Sequence, residues 1–170
     1  EAVSLRDDQV FFHHLIVQRK MIPLPVFLEH ASPEECERAV ISLGYCIKNN
    51  AAGNIFNRDL DGRNYGVGSH TRVYLFDYDA LEAFTEVKIR SNSGRDDGEE
   101  DIPDWYFEDG VIFLPEEIEW GLRISDPKLR SLFRMKHGDL TRVDYWERIQ
   151  EELREGMVPQ IQVYPDNCRL

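Results

Sequence analysis

Arg58-Asp59-Leu60-Asp61-Gly62-Arg63-Asn64-Tyr65-Gly66-Val67, then a Gly68-Ser69-His70-Thr71 turn, then Arg72-Val73-Tyr74-Leu75-Phe76-Asp77-Tyr78-Asp79, is the stretch that decides the fold. Asn64 to Val67 and Arg72 to Phe76 are short runs with aromatic and β-branched residues, and the turn residues between them make the pair a predicted hairpin. A hairpin returns the chain beside its start, so Asn64 and Asp77 converge at one end of it. An amide oxygen and a carboxylate there are hard ligands suited to Mg2+, which takes few protein oxygens and leaves places for phosphates. Asp59 lies across the gap, placed to orient or deprotonate a hydroxyl nucleophile. The same side chains would also serve as simple caps of loop amides, so the spacing alone leaves both roles open.

Upstream, Ser32, Pro33 and Glu35 form a capping-box signature. Cys36, Ala39, Val40, Leu43, Ile47 and Ala51 then recur at helical spacing up to a stop at Gly53. Val10 to Arg19 is aromatic and β-branched and reads as a largely buried strand. Pro23 and Pro25 bar a central strand and make a connector, with a short helix expected near Val26 to Glu29. Asn54 to Asn64 reads as a polar loop anchored by Ile55, Phe56 and Leu60. Asn92 to Asp104 carries six carboxylates and reads as a solvated loop, or as a charge-selective contact. Downstream, Asp126 caps a helix starting at Pro127, and a second helix runs through Tyr145, Trp146, Ile149 and Leu153 to Gly156.

Composition narrows the function classes. With 170 residues, 20 Lys and Arg against 32 Asp and Glu, and a net charge of −12, the chain can bury a core yet repels phosphate polyanions at long range. Nucleic acid and anionic membrane are therefore not expected partners, and no apolar run approaches the ~18 residues of a membrane span. Three cysteines without Cys-x-x-Cys spacing read as unpaired thiols of a reducing compartment, and five histidines show no zinc-ligand spacing. A first residue of Glu1 rather than Met suggests a processed form or a piece of a longer protein.

The order Arg-Asp, four residues, Asn, hairpin, Asp is the working arrangement of phosphoryl transfer in protein kinases. The expected fold is accordingly α+β, mainly α: a protein-kinase-like C-terminal lobe with a small catalytic hairpin, preceded by the last strand and hinge of the N-lobe. Residues 1–25 would be that strand and hinge, with Gln18, Arg19, Lys20 and Met21 facing the nucleotide, and residues 26–170 the C-lobe. A Gly-rich phosphate loop and a Lys–Glu pair are absent from the sequence, so the chain by itself is expected to be inactive.

More narrowly, the chain resembles the isocitrate dehydrogenase kinase/phosphatase family. The match runs in order through His14-Leu15, Arg19-Lys20-Met21-Ile22-Pro23-Leu24, Ala52-Gly53-Asn54-Ile55-Phe56, Asn64-Tyr65-Gly66-Val67 and Phe76-Asp77-Tyr78-Asp79. It continues through Phe84-Thr85-Glu86-Val87, Asp104-Trp105-Tyr106, Phe113-Leu114-Pro115-Glu116-Glu117, Asp126-Pro127, Asp144-Tyr145-Trp146 and Arg154-Glu155-Gly156. The resemblance implies Asp59 as catalytic aspartate, Asn64 and Asp77 as metal ligands, and Arg63 as a phosphate contact where the family has a lysine. It implies a role for Asp79, where ordinary kinases have glycine, in the phosphatase branch. It further implies ATP with Mg2+ or Mn2+, AMP and ADP as effectors through a separate regulatory domain, isocitrate dehydrogenase as protein substrate, control of the glyoxylate bypass, and a bacterial cytoplasmic setting. Two other readings share these residues: a divergent serine/threonine kinase-like protein with another substrate, and a non-catalytic kinase-like scaffold.

Overall fold

The structure is a computed structural model, which describes residues 3–13, 20–92, 109–157 and 159. Its centre is the helix that the capping box announces. Ser32 Oγ accepts from the Glu35 N–H at 3.3 Å and the Glu35 carboxylate accepts from the Ser32 N–H at 3.1 Å. That reciprocal cap starts a 20-residue helix, Pro33–Ala52, whose face of Cys36, Ala39, Val40, Leu43, Ile47 and Ala51 is buried as the spacing predicts. It is here α2. α1 is Leu24–His30, which begins two residues before the expected short helix because Pro25 falls in its first turn, where no intrahelical N–H is needed.

The strands are short and the sheets small. β1 (Val3–Arg6) and β2 (Gln9–Phe12) form an antiparallel hairpin around Asp7 and Asp8, both at positive φ. β3 (Ile22–Pro23), β5 (Tyr65–Val67) and β6 (Val73–Leu75) form a three-stranded antiparallel sheet in the order β3-β5-β6. β4 (Ile55–Asn57) pairs with β7 (Leu81–Ala83), and β8 (Lys88–Ile89) runs parallel to β9 (Ile112–Phe113). Three more helices follow: α3 (Ile118–Gly121), α4 (Pro127–His137) capped by Asp126, and α5 (Val143–Arg154). The expected hairpin and both downstream helices are therefore present.

Three expectations need correction. The strand expected over 10–19 ends at Phe12 as the second arm of a hairpin, and Val10, Phe11 and Phe12 are exposed rather than buried, since among the described residues no second layer covers this two-stranded ribbon. Residues 14–19 lie outside the described ones. The anchored loop over 54–64 contains a strand, β4, whose partner β7 lies beyond the hairpin. Pro23, placed in a connector, sits in an edge strand, where its missing N–H costs no ladder bond. Of the acidic loop, residues 93–104 lie outside the described ones.

One core holds these pieces together. Phe84 and Phe113 pack against Trp146, with ring centroids 5.4 Å and 4.9 Å from it, and Phe56 packs on both phenylalanines, 6.2 Å from Phe84 and 4.8 Å from Phe113. The Trp146 indole N–H donates to the Leu140 carbonyl at 2.6 Å. Gln150 is buried because its amide donates to the Phe84 and Val87 carbonyls, at 2.7 and 2.8 Å. On the other side of α2, Gly44 lets the His137 ring lie directly on the helix backbone, where any Cβ would collide with it. His137 Nε2 hydrogen-bonds the Ile41 carbonyl at 2.9 Å and Nδ1 is buried without a partner.

That ring cannot accept a second proton without burying an unpaired donor. Burial first, and then the nearby Lys48 ammonium, push its pKa down from 6.5 to about 4. The unfolded chain takes up this proton near 6.5 and the native chain does so only near 4, so the unfolded state binds more protons between these values. The stabilisation is thus complete above pH 6.5 and is lost as pH falls through this window, by about 3 kcal/mol in all. Urea denaturation at a series of pH values should show this loss, and His137→Gln should flatten the slope; an unchanged slope in the variant would place the acid sensitivity elsewhere.

Candidate active site

The loop after β4 is built by its own side chains. Asn57 Oδ1 accepts from the Asp59 N–H at 3.1 Å, which turns the chain out of the strand. The Arg58 N–H donates across to the Ala80 carbonyl at 3.0 Å, so the loop mouth is tied to the turn beyond Asp79. Asp61 then caps a single 3-10 turn over Gly62–Asn64, its carboxylate accepting from the Arg63 N–H at 2.8 Å.

Asn64 joins loop to hairpin. Its side-chain amide donates to the Asp59 backbone carbonyl at 3.0 Å, which directs the amide oxygen away from that carbonyl. Its own carbonyl accepts from the Phe76 N–H at 3.1 Å, extending the β5–β6 ladder by one rung, so that Asp77 is the next residue along the opposite arm. The Asp79 N–H donates to Asp77 Oδ1 at 3.3 Å, and the Tyr78 hydroxyl donates to the Leu75 carbonyl at 3.0 Å. Asp59, Asn64 and Asp77 therefore gather at one end of the hairpin through the Asn64 side-chain bond to the Asp59 carbonyl and the Phe76 backbone bond to the Asn64 carbonyl. Asn64 is buried, Asp77 half-buried, and Asp59 and Asp79 exposed.

Around this core the remaining candidates distribute unevenly. Met21 packs over the hairpin: a Cβ on Gly66 would meet the Met21 Cβ at 2.8 Å and the Phe76 ring at 3.0 Å. Lys20 is exposed beside it, and Gln18 and Arg19 lie outside the described residues. Arg63 lies along Asp61, with Nε to Oδ1 at 3.0 Å and Nη2 to Oδ2 at 2.8 Å. Arg123 brings Nε to the same Oδ2 at 3.2 Å from the turn after α3. The Arg63 hydrogen bonds hold the Asp61 carboxyl below the usual carboxylate range, against the opposing effect of its burial.

The family-model comparison matches residues 1–166 to the kinase domain of isocitrate dehydrogenase kinase/phosphatase (AceK). The chain belongs to the isocitrate dehydrogenase kinase/phosphatase family. Curated relatives carrying that name agree: it is 52% identical over 99% of its length to the protein of Rhodopseudomonas palustris strain BisB5, and 49% identical over its full length to that of strain HaA2. The chain spans about 27% of the length of these relatives.

At this candidate site, the residues that sequence reasoning missed are Asp61 and Arg123. Asp61 does carry a local signal, an Asp-Gly-Arg that reads as an N-cap followed by a tight turn. Arg123 carries none, because it meets Asp61 only through the tertiary fold. The contact is made close by two backbones: at Gly62 a Cβ would overlap the Leu122 carbonyl oxygen, and Gly121 lies against the Leu60 carbonyl. Gly62→Ala should therefore push the loop off the α3 turn and cost about 1–3 kcal/mol of stability, measured by urea denaturation. A neutral Gly62→Ala would mean that the α3 turn does not set the loop position.

Proposed function

We propose that this chain is the C-terminal lobe, with the hinge, of the kinase-like domain of a bifunctional enzyme that phosphorylates and dephosphorylates serine on isocitrate dehydrogenase. On this reading residues 1–25 complete the N-lobe and hinge and residues 26–170 form the C-lobe. The observation that carries the reading is the double use of Asn64, whose side chain fixes the Asp59 loop while its carbonyl sets the rung that delivers Asp77.

The donor set suits a hard divalent cation. Asn64 and Asp77 stand on the two arms at the hairpin end, and among the described residues no group of three or more His, Cys, Asp or Glu side chains makes a self-sufficient metal cage. That is the ligand-poor kind of site in which Mg2+, or Mn2+ in its place, is completed by phosphates and water. When bound with ATP, the cation neutralises charge on the phosphates. Asn64 and Asp77 would hold it. Asp59, which is exposed, orients the serine hydroxyl and takes its proton during transfer. Arg63 supplies positive charge to the phosphate oxygens, and Met21 and Lys20 border the nucleotide. Asp79, one carboxylate beyond the usual kinase set, orients a water for attack on phosphoserine, releasing the serine hydroxyl and inorganic phosphate.

The partners follow from the same reading: isocitrate dehydrogenase as substrate, and the remaining N-lobe and AMP- or ADP-responsive regulatory domain of the same protein. The setting is the bacterial cytoplasm, where the enzyme controls entry to the glyoxylate bypass. The phosphate grip belongs to the N-lobe, so the chain alone should not turn over ATP.

Transfer of labelled phosphate from ATP to purified isocitrate dehydrogenase by the full-length protein, then release on adding ADP or AMP, tests this directly. No labelling of the dehydrogenase would sink it. In that assay Asp59→Asn should reduce transfer by roughly 10²–10⁴-fold, the usual contribution of a positioned base. Asp77→Ala should abolish Mg2+-dependent nucleotide use, whereas Asp79→Ala should depress release more than transfer; equal loss of both would contradict the role given to Asp79.

A further inference from the structure

Asp61 holds more positive charge than it needs. Its side chain is 5% exposed, and its two oxygens receive the Arg63 backbone N–H, the Arg63 guanidinium edge-on, and the Arg123 guanidinium. One cation would neutralise it. A buried carboxylate stripped of its only counter-charge is strongly destabilising, so a single partner would be locked in place. Two partners, from elements far apart in the chain, remove that lock.

The two arginines are not equivalent. Both side chains are 67% exposed, so either guanidinium can leave the carboxylate for solvent without disturbing the core. Arg63 stands between Asp59 and Asn64 in the catalytic loop, and the Asp59 charge acts on it. Arg123 sits outside the loop, at φ 52, a left-handed conformation that a residue with a Cβ adopts at a cost. Its backbone is held there by the turn after α3, where its N–H donates to the Trp120 carbonyl at 3.2 Å. Arg123 is thus built into a fixed position beside Asp61, while Arg63 is on the reacting side.

We propose that Arg123 is a resident counterion that frees Arg63: as a phosphoryl group reaches the Asp59–Asn64 loop, Arg63 turns from Asp61 to the phosphate oxygens and Arg123 keeps the buried carboxylate paired. The ligand class is a phosphate ester or anhydride. Arg123 is a positioning residue, acting on phosphate only through Asp61 and Arg63. The inference rests on the phosphoryl-transfer reading of the site and adds a residue that the loop itself does not contain.

Full-length protein tests it through a rescue. Arg123→Gln should pin Arg63 on Asp61 and weaken Mg-ATP binding, measured by calorimetry, by about tenfold, the effect of about one charge-assisted hydrogen bond. Adding Asp61→Asn should restore most of that affinity, because the carboxylate that traps Arg63 is then gone. In an Arg63→Gln, Asp61→Asn background, which leaves no buried carboxylate unpaired, adding Arg123→Gln should have no further effect, so that variant and its parent bind alike. A further loss in that comparison, or an Arg123→Gln, Asp61→Asn variant no tighter than Arg123→Gln, would overturn the proposal. A ligand-free readout separates it from the functional reading: phenylglyoxal labelling of Arg63, followed by mass spectrometry, should slow in Arg123→Gln and recover with Asp61→Asn. Wild-type protein that binds no Mg-ATP would overturn the nucleotide reading, and the labelling would still decide the counterion; an Arg63 labelling rate indifferent to Arg123 would overturn the inference.

Discussion

Asn64 sits at the junction of two structures that must not move relative to one another. A loop of six residues and a three-rung hairpin are individually weak, and neither has a hydrophobic face wide enough to fix its own position. The side-chain bond to the Asp59 carbonyl and the main-chain bond from Phe76 are made by the same residue, so the relative placement of Asp59 and Asp77 depends on the rigidity of one peptide unit. Because Asn64 is buried, loss of its amide partner would leave an unpaired polar group, which typically costs about 1–3 kcal/mol. That cost keeps the amide in place. The pairing of Arg58 N–H with Ala80 ties the far side of the same assembly, and Asp77 and Asp79 lie between the two anchors.

The hairpin is in turn carried by α2. The Val73 N–H, at the start of β6, donates to Ser42 Oγ at 2.9 Å, and Val67, Val73 and Leu75 are buried in the core that α2 organises. The opposite flank of α2 receives His137 at Gly44, so the helix is gripped between the site hairpin and α4. Tyr65 shows how tightly: its ring is buried in the same core, and burial pushes its pKa above the ordinary tyrosine value. Stability of the helical layer and geometry of the site are therefore properties of one packed unit.

What could be read in advance followed the range of the forces involved. The Ser32 cap, the apolar face of α2, the Asp126 cap and the two-arm hairpin are set by residues within a few positions of each other, and all appear as expected. β4 did not declare itself because Ile55-Phe56-Asn57 is too short to show a period, and its partner β7 lies on the far side of the hairpin. β2 misled because aromatic and β-branched content reports strand propensity and says nothing about whether a second layer arrives to cover it. At the site, the Asp59, Asn64 and Asp77 spacing was legible since a hairpin converts sequence spacing into proximity. Asp61 and Arg123 were not, since their pairing depends on where the turn after α3 is delivered.

A carboxylate in such a loop calls for a physical reason, since an apolar residue at position 61 would bury itself without any ion pair and often with a gain in stability. Packing, however, is non-directional. The Asp61 carboxylate instead does three directional things at once: it caps the 3-10 turn through the Arg63 N–H, lays the Arg63 side chain along a fixed line beside Asp59, and receives Arg123 across the fold. With a chain charge of −12 and several carboxylates around the hairpin end, an arginine left to find its own partner would have many acidic groups to choose from. A buried, doubly paired aspartate removes that choice, because its oxygens are fixed by the backbone and shielded from salt, whereas surface carboxylates are screened over about 10 Å. Directional control of one guanidinium is therefore what the buried charge supplies, at a desolvation cost that the second arginine helps to offset.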